Sequence, residues 1–226
     1  MITRHGIREV FICGALAAAA TAGIYFLAQR HGAGWWALEI LPLEFFGWVL
    51  WFFRDPQRIA PSGPDLFISP ADGMVADITP LGPEGKLGQP GVEIGVFMNV
   101  FSVHVNRMPC SAVIEEIKHM PGTFMDVRDP QSYEKNESTT LTLSYNHKGR
   151  TYPVMVRQIA GLVARRIVTA VKPNQRLERG ERLGMIKFGS RVELYLPQEL
   201  AGEICVTIGQ KVTAGLTILA KVKNDD

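Results

Sequence analysis

The stretch Leu183-Gly-Met-Ile-Lys-Phe-Gly-Ser-Arg-Val-Glu-Leu-Tyr-Leu196 contains two alternating apolar patterns separated by a glycine and a serine. The alternating apolar residues on the two sides of the break are Met185, Val192, Leu194 and Leu196. Their period of two predicts a pair of half-buried strands. A glycine inside a strand pattern marks a turn, a bulge or a close backbone approach. We therefore expect Gly189 and Ser190 at a kink between two strands, with a hydroxyl nucleophile directly after the glycine.

Short apolar runs of the same kind fill the chain from Ile68 onward, and Gly and Pro interrupt them at short intervals. The predicted strands are 74–78, 92–100, 113–117, 139–145, 152–157, 162–171, 183–188, 192–196, 203–206 and 216–222. Many short strands separated by turn residues are typical of a β-sandwich or a barrel-like domain. The sequence thus predicts a mainly β fold for residues 55–226.

A weak internal repeat points to a particular kind of β domain. The segments 177–183 and 212–218 share the form apolar-x-x-Gly-x-x-apolar, with Gly180 and Gly215 at the centre. Together with Pro70-Ala-Asp-Gly-Met-Val75, these segments resemble the half-motifs of biotinyl- and lipoyl-type β-sandwiches. Because a fold does not determine a function, this likeness also supports a second hypothesis, a membrane-tethered lipoyl-like carrier or adaptor without catalysis. Lys187 is the nearby lysine that such a carrier could modify.

The first 54 residues predict a membrane-anchoring helical hairpin. Residues 10–28 carry no formal charge over a length that can cross a bilayer core. Residues 35–53 form a second apolar segment with tryptophans near both ends, as at membrane interfaces, but they include Glu39, Glu44 and Pro42. This segment either spans the membrane or lies at its surface as an interfacial or re-entrant helix. The arginines that flank the two segments are Arg4, Arg8, Arg30, Arg54 and Arg58. Their positions predict both ends of the hairpin, and the β domain, on the cytoplasmic face of the inner membrane.

The composition argues against several other classes of function. The net charge is only +2, so the sequence gives no indication of a nucleic-acid partner. The three scattered cysteines, Cys13, Cys110 and Cys205, do not form a disulfide framework or a zinc-binding spacing. No phosphate-binding loop or dinucleotide fingerprint is present, and we expect neither a metal nor a diffusible cofactor.

Several motifs, in order along residues 50–196, resemble the phosphatidylserine decarboxylase proenzymes of the short bacterial and archaeal class. One is the processing-site stretch Ile186-Lys-Phe-Gly-Ser-Arg-Val-Glu-Leu-Tyr-Leu-Pro197. The others are Phe53-Arg-Asp-Pro-Gln-Arg58, Ser69-Pro-Ala-Asp-Gly73, Phe101-Ser-Val-His-Val-Asn-Arg-Met-Pro109 and Gln158-Ile-Ala-Gly-Leu-Val-Ala-Arg-Arg166. Several motifs in register are far more specific than any one of them.

The resemblance implies a carboxy-lyase that makes its own prosthetic group. Self-cleavage between Gly189 and Ser190 would convert Ser190 into a pyruvoyl group, leaving two fragments that stay together as a heterodimer. The pyruvoyl carbonyl would form a Schiff base with phosphatidylserine, and loss of CO₂ would give phosphatidylethanolamine. The partners implied are the phospholipid substrate and the membrane. The oligomeric state, including a homodimer, stays open.

His104 is the expected base, and Asp72 is the carboxylate expected to orient it. Strand alternation would place Ser102, His104 and Asn106 on one polar face. Members of the longer class carry His-x-x-His-Met-Pro here, whereas this chain has Arg107 in place of the second histidine. Because arginine stays protonated, either His104 serves both self-cleavage and decarboxylation, or Asp72 or water takes the proton during processing.

Three arginines are predicted to contact the lipid head group: Arg107, Arg165 and Arg166. Arg165 and Arg166 are adjacent, so on a strand one of them could meet the phosphate with its forked donors. A membrane-bound serine hydrolase is a third hypothesis, since a serine near a histidine also suits acyl transfer. The carrier and the hydrolase both predict an intact chain, whereas the decarboxylase predicts two fragments.

Overall fold

The computed structural model describes residues 1–63, 65–162, 166–187 and 190–222. The chain divides into two compact units, Met1–Gln57 and Arg58–Asp226. The first unit is helical and the second is built mainly from strands, which confirms the predicted mainly β fold with apolar helical segments before it.

The first unit contains helix α1 (Ile7–His31), a 3₁₀ helix (Ala33–Glu39) and helix α2 (Ile40–Phe52). At 1.5 Å per residue α1 is about 37 Å long, enough to cross a bilayer core. Within the described residues, α1 is the one helix long and apolar enough to do so.

The predicted second apolar segment, residues 35–53, is not one continuous helix. It begins as the 3₁₀ helix, and α2 itself has 13 residues, or about 20 Å. Pro42 lies in the first turn of α2, where its missing N–H and its ring are tolerated. An α-helix that extended further back would clash with the proline ring, so α2 starts only two residues before Pro42. By length α2 suits the interfacial alternative better than the spanning one.

The second unit contains fourteen strands and one short helix within the described ranges. The strands are β1 (Leu66–Ile68), β2 (Gly73–Leu81), β3 (Gly91–Met98), β4 (Val105–Arg107), β5 (Ala112–Met120), β6 (Ser138–His147), β7 (Arg150–Ile159), β8 (Ile167–Thr169), β9 (Arg176–Leu177), β10 (Arg182–Ile186), β11 (Ser190–Pro197), β12 (Glu203–Ile204), β13 (Lys211–Val212) and β14 (Ile218–Lys221). Helix α3 (Ser132–Lys135) lies between β5 and β6.

The strands form one large sheet and two small ones. The large sheet has the order β13-β2-β3-β11-β7-β6-β5-β9 and curls into half a barrel. The small sheets have the orders β1-β14-β12 and β4-β10-β8. One core joins the inner face of the large sheet to residues of the small sheets, among them Phe67, Leu219, Leu183 and Ile186. The pairing of β11 with β3 and β7 therefore places the strand that begins at Ser190 in the middle of the large sheet.

The two repeat segments adopt the same local structure. Each begins with a two-residue strand, β9 or β13, and then turns at a glycine with positive φ, 87° at Gly180 and 78° at Gly215. Each then enters a longer strand, β10 or β14. The repeat thus supplies both outer strands of the large sheet, while the lipoyl-like architecture stays a prediction.

Candidate active site

Ser190 is the first residue of β11 and is fully buried. It lies opposite Met98 of β3, and its hydroxyl contacts the Met98 thioether, with Oγ 3.4 Å from Sδ. Because side chains alternate along a strand, Ser190 shares its face with Val192 and Leu194, which belong to the core. The predicted serine therefore begins the strand that follows β10, with its side chain on the inner face.

His104 directly precedes β4 and is also fully buried. The main-chain N–H of Ile186 donates to the carbonyl of His104 at 3.3 Å, so the end of β10 is tied to this segment. Only three residues separate Ile186 from Ser190 along the chain, so this hydrogen bond ties His104 to a segment close in sequence to the serine. The expected polar strand face is wrong in one respect: His104 and Asn106 lie in the interior, and Ser102 lies in a turn bonded to Asn99.

A pair of buried amides, Asn106 and Gln158, lies beside the serine. Gln158 Nε2 donates to Asn106 Oδ1 at 2.8 Å, and Asn106 Nδ2 lies 3.8 Å from the sulfur of Met98. Met98 therefore contacts both Asn106 and Ser190. We had not predicted either amide as a site residue. A polar residue at an inward position of an apolar strand was the available signal, because buried amides require hydrogen-bond partners.

Asp72 lies in the turn before β2, and its carboxylate is paired with Arg58. The guanidinium of Arg58 donates to both carboxylate oxygens, at 2.5 Å and 2.9 Å, and the N–H of Ala214 donates to Oδ1 at 2.7 Å. Both side chains are largely buried. The same turn is tied to β4, because the N–H of Arg107 donates to the carbonyl of Pro70 at 2.9 Å. The contacts that the structure gives Asp72 are with Arg58 and Ala214, and its action on His104 stays a prediction.

The predicted head-group arginines have different surroundings. Arg107 donates from Nη1 to the carbonyl of Gly180 at 2.9 Å and packs against Gly215, on the opposite side of β4 from Asn106. Arg166 is exposed, and its carbonyl accepts a hydrogen bond from the N–H of Lys187 at 3.3 Å. Arg165 and Gly189 lie outside the described residues.

The lysine that a lipoyl-like carrier would need does not suit that role. Lys187 is buried, whereas a carrier lysine must be accessible to its modifying enzyme and to its partners. Within the described ranges, no three His, Cys, Asp or Glu side chains come together as a metal site.

A network of charged side chains covers the face of β11 that is opposite to the Ser190 side chain. Arg191 Nη1 and Nη2 donate to Asp77 at 2.5 Å and 2.8 Å, Nη2 donates to Glu93 at 3.0 Å, and Nε donates to Glu193 at 2.8 Å. The guanidinium carbon lies 4.1 Å from the centre of the Tyr133 ring.

Glu193 links this cluster to further partners, namely the hydroxyl of Tyr195, Arg157 and Lys86. The cluster contains three carboxylates and three cations, so its formal charges balance. Burial, together with the charge of Glu193, raises the pKa of Glu93. Burial alone would lower the pKa of Arg191, but its bonds to Asp77 and the charge of Glu193 raise it.

Comparison with known proteins shows which family the chain resembles. The family model described as phosphatidylserine decarboxylase matches residues 45–220, more than three quarters of the chain. The chain belongs to the phosphatidylserine decarboxylase family. The match includes every motif that carried the resemblance in the sequence, from Phe53 to Pro197.

Three curated relatives, each named phosphatidylserine decarboxylase proenzyme, are 41% identical to the chain. The protein from Syntrophus aciditrophicus aligns over 214 residues, 95% of this chain and 94% of the relative. The protein from Desulfotalea psychrophila covers 81% of this chain and 85% of its own length, and that from Oleidesulfovibrio alaskensis covers 83% and 84%. The similarity to this family of carboxy-lyases therefore extends over nearly the whole chain.

Proposed function

We propose that this protein converts phosphatidylserine to phosphatidylethanolamine with a pyruvoyl group made from Ser190. The observation that carries the proposal is the position of Ser190, which is buried at the first position of an interior strand, directly after the glycine of the family's processing motif. The family membership supports the reaction, and the geometry supports the assignment of the serine.

The surroundings of Ser190 suit a small reactive carbonyl. The residue is shielded from water, its main chain is held in β11, and its side chain lies against the thioether of Met98. The Asn106 amide, which is bonded to Gln158, contacts the same thioether and would provide a hydrogen-bonding group for the site. A pyruvoyl group there supplies a ketone that takes up the amine of phosphatidylserine and accepts the electron pair released as CO₂ leaves.

Self-cleavage begins when the Ser190 hydroxyl attacks the carbonyl carbon of Gly189. The C–O bond forms, the peptide C–N bond breaks, and the amide becomes an ester with a free amine on residue 190. A base then removes the Cα proton of residue 190, and the carboxylate of Gly189 leaves from Cβ. The resulting dehydroalanine isomerises to an imine, and water replaces its nitrogen, which departs as ammonia. A positioned base contributes about 10²–10⁴-fold, which suffices for a reaction that occurs once per molecule.

His104 is the proposed proton-transfer residue in both stages. Its main chain is tied to Ile186, close in sequence to the serine, and histidine is the side chain that most often transfers protons in enzymes. In turnover it would donate a proton to the carbon that has lost CO₂. Asp72 is the proposed orienting carboxylate, and the paired Arg58 fixes its own position. Arg107, Arg165 and Arg166 remain proposed contacts of the head group.

Helix α1 provides the proposed membrane attachment. Its residues are mostly exposed in the structure, and they include large apolar side chains such as Phe11, Leu16 and Phe26. Since the acyl chains of the substrate remain in the bilayer, attachment raises the local concentration of the substrate. The flanking arginines favour the inner membrane, with residues 55–226 as the catalytic domain on the cytoplasmic face.

Intact-mass measurement of the purified protein tests the proposal. The expected result is two fragments, residues 1–189 and residues 190–226, with the smaller fragment lacking a free amino group. Ser190→Ala should leave the chain intact, whereas Ser132→Ala, at another fully buried serine, should leave processing unchanged. Borohydride in the presence of phosphatidylserine should join the lipid to the small fragment. An uncut wild-type chain, or cleavage that persists in Ser190→Ala, would overturn the proposal.

A further inference from the structure

Arg191 is the residue after the proposed pyruvoyl position, and its side chain is among the most tightly held in the protein. Its guanidinium is nearly completely buried and makes four hydrogen bonds to three carboxylates, from Asp77, Glu93 and Glu193. It also packs on the ring of Tyr133. Gly95 on β3, the cross-strand partner of Glu193, has no side chain where the Arg191 guanidinium lies. Strand β3 thus leaves space for this one side chain.

Stability alone is a weak explanation for such a cluster. Removing charges from water is costly, and buried ion networks can often be replaced by apolar side chains with little loss of stability. A forked guanidinium provides direction that an apolar side chain lacks, because its N–H groups donate to carboxylates only in a fixed plane. The three carboxylates come from β2, β3 and β11 itself, so together they fix that plane relative to the sheet.

We propose that Arg191 is a positioning residue, held by Asp77, Glu93 and Glu193, that fixes residue 190 for self-cleavage and then for decarboxylation. This inference rests on the proposed function of Ser190. Consecutive side chains of a strand point to opposite faces, so holding the Arg191 side chain on the outer face directs residue 190 to the inner face. Misplacement of a reacting group by about 1 Å can slow a reaction about 10²-fold.

The distribution of the partners along the chain strengthens the inference. Asp77 and Glu93 precede residue 190, whereas Arg191 and Glu193 follow it. After cleavage between residues 189 and 190, the new chain end would lose its covalent support on one side. The Arg191 clamp would then hold the first residues of the small fragment to β2 and β3 of the large one.

Three variants test the proposal: Arg191→Met, Arg191→Lys and Asp77→Asn. The matched control is Arg128→Met, which breaks a similarly short contact to Asp126 at the surface. Each protein is followed by intact mass to obtain the self-cleavage rate, and by thermal unfolding to establish folding. For the processed fraction, kcat and KM are measured separately on phosphatidylserine vesicles.

We expect Arg191→Met to slow self-cleavage about 10²-fold and to lower kcat with little change in KM. Arg191→Lys should restore part of both rates, since lysine keeps the charge without the fork. Asp77→Asn should slow both steps less than Arg191→Met, because Glu93 and Glu193 still hold the guanidinium. Arg128→Met should behave as the wild type.

Folded Arg191→Met and Arg191→Lys proteins with wild-type cleavage rate and kcat would overturn the inference. If Arg191→Met does not fold, Asp77→Asn decides the matter, and wild-type rates in that variant would equally overturn it. An uncut wild-type protein would instead overturn the proposed function of Ser190, so the two failures are distinguishable.

Discussion

Gly95 on β3 leaves the space that the Arg191 guanidinium of β11 occupies. A Cβ atom at residue 95 would lie 2.1 Å from Nη2 of Arg191 and 2.4 Å from its guanidinium carbon. Those distances are far below van der Waals contact, so any side chain at residue 95 must displace Arg191 or shift the strand. The glycine and the arginine therefore form one structural unit, although 96 positions separate them.

Gly95→Ala should lower the free energy of unfolding by about 1–3 kcal/mol, the usual cost of overpacking a buried site. It should also slow self-cleavage, because displaced Arg191 no longer holds residue 190. Denaturant unfolding in the uncut Ser190→Ala background gives the first quantity, and intact mass gives the second. Gly82→Ala is the control, since a Cβ there meets no atom within 4 Å. Equal stabilities of the two variants would contradict the prediction.

The Arg58–Asp72 pair should contribute measurably to stability because both side chains are largely buried and share two hydrogen bonds. A double-mutant cycle with Arg58→Met and Asp72→Asn should give a coupling of about 0.5–3 kcal/mol. The measurement is denaturant unfolding of the two single variants and the double variant. The exposed pair Arg176–Glu178 serves as the comparison and should show no measurable coupling. Additive effects at Arg58 and Asp72 would show that the pair does not act as a unit.

After cleavage, the two fragments should remain together under native conditions. β11 belongs to the small fragment but pairs on both sides with strands of the large one, along eight positions of β3 and five of β7. Size-exclusion chromatography of the processed protein should give a single species that separates only in denaturant. Separation of the fragments in native buffer would disprove this prediction.

Glu93 should make the thermal stability of the protein depend on pH. Burial and the charge of Glu193 raise its pKa in the folded state above the ordinary value for glutamate. The folded state therefore holds this proton more tightly than the unfolded state does. The stabilisation that Glu93 contributes by binding this proton is complete below the ordinary pKa of glutamate. It is lost as the pH rises through the raised pKa of the folded state. Glu93→Gln should remove that loss, so the difference in Tm between the variant and wild type should change across this window. A difference that is constant with pH would contradict the raised pKa.

A charge in the middle of α1 should weaken membrane attachment. Ala19 is exposed on this helix, and an arginine at the centre of a spanning helix costs about 2.5–3.5 kcal/mol on insertion scales. Ala19→Arg should therefore shift the protein from the membrane pellet to the supernatant after alkaline extraction. Ala19→Leu at the same position should leave it in the pellet. Equal retention of both variants would argue against α1 as the anchor.

The local features of the site could be predicted from the sequence, whereas its long-range contacts could not. The alternation around Gly189 and Ser190 depends only on adjacent residues. The structure confirms two successive strands here, with the serine at the start of the second. The same alternation suggested half-buried strands, yet both faces of β11 are buried. The burial of Arg191 and Glu193 has no local signal, because the partners of this cluster include Asp77 and Glu93, about a hundred positions earlier.

The surroundings of His104 and the shape of the second apolar segment also could not be predicted from the local sequence pattern. His104 was expected on a polar face, but it is fully buried, and the strand β10 that pairs with β4 contributes Leu183 and Ile186 to the core. In the helical unit, hydropathy alone suggested a continuous segment over residues 35–53. The ring of Pro42 decided where the α-helix could begin, and this steric effect is absent from a hydropathy count.

The order of strands in the large sheet also bears on the solubility of the cut protein. The outermost strands of this sheet, β13 and β9, lie three and four strands away from β11. A break before β11 falls in the interior of the sheet and creates no fresh edge. Cleavage before Ser190 would therefore offer no new backbone to which a foreign strand could add.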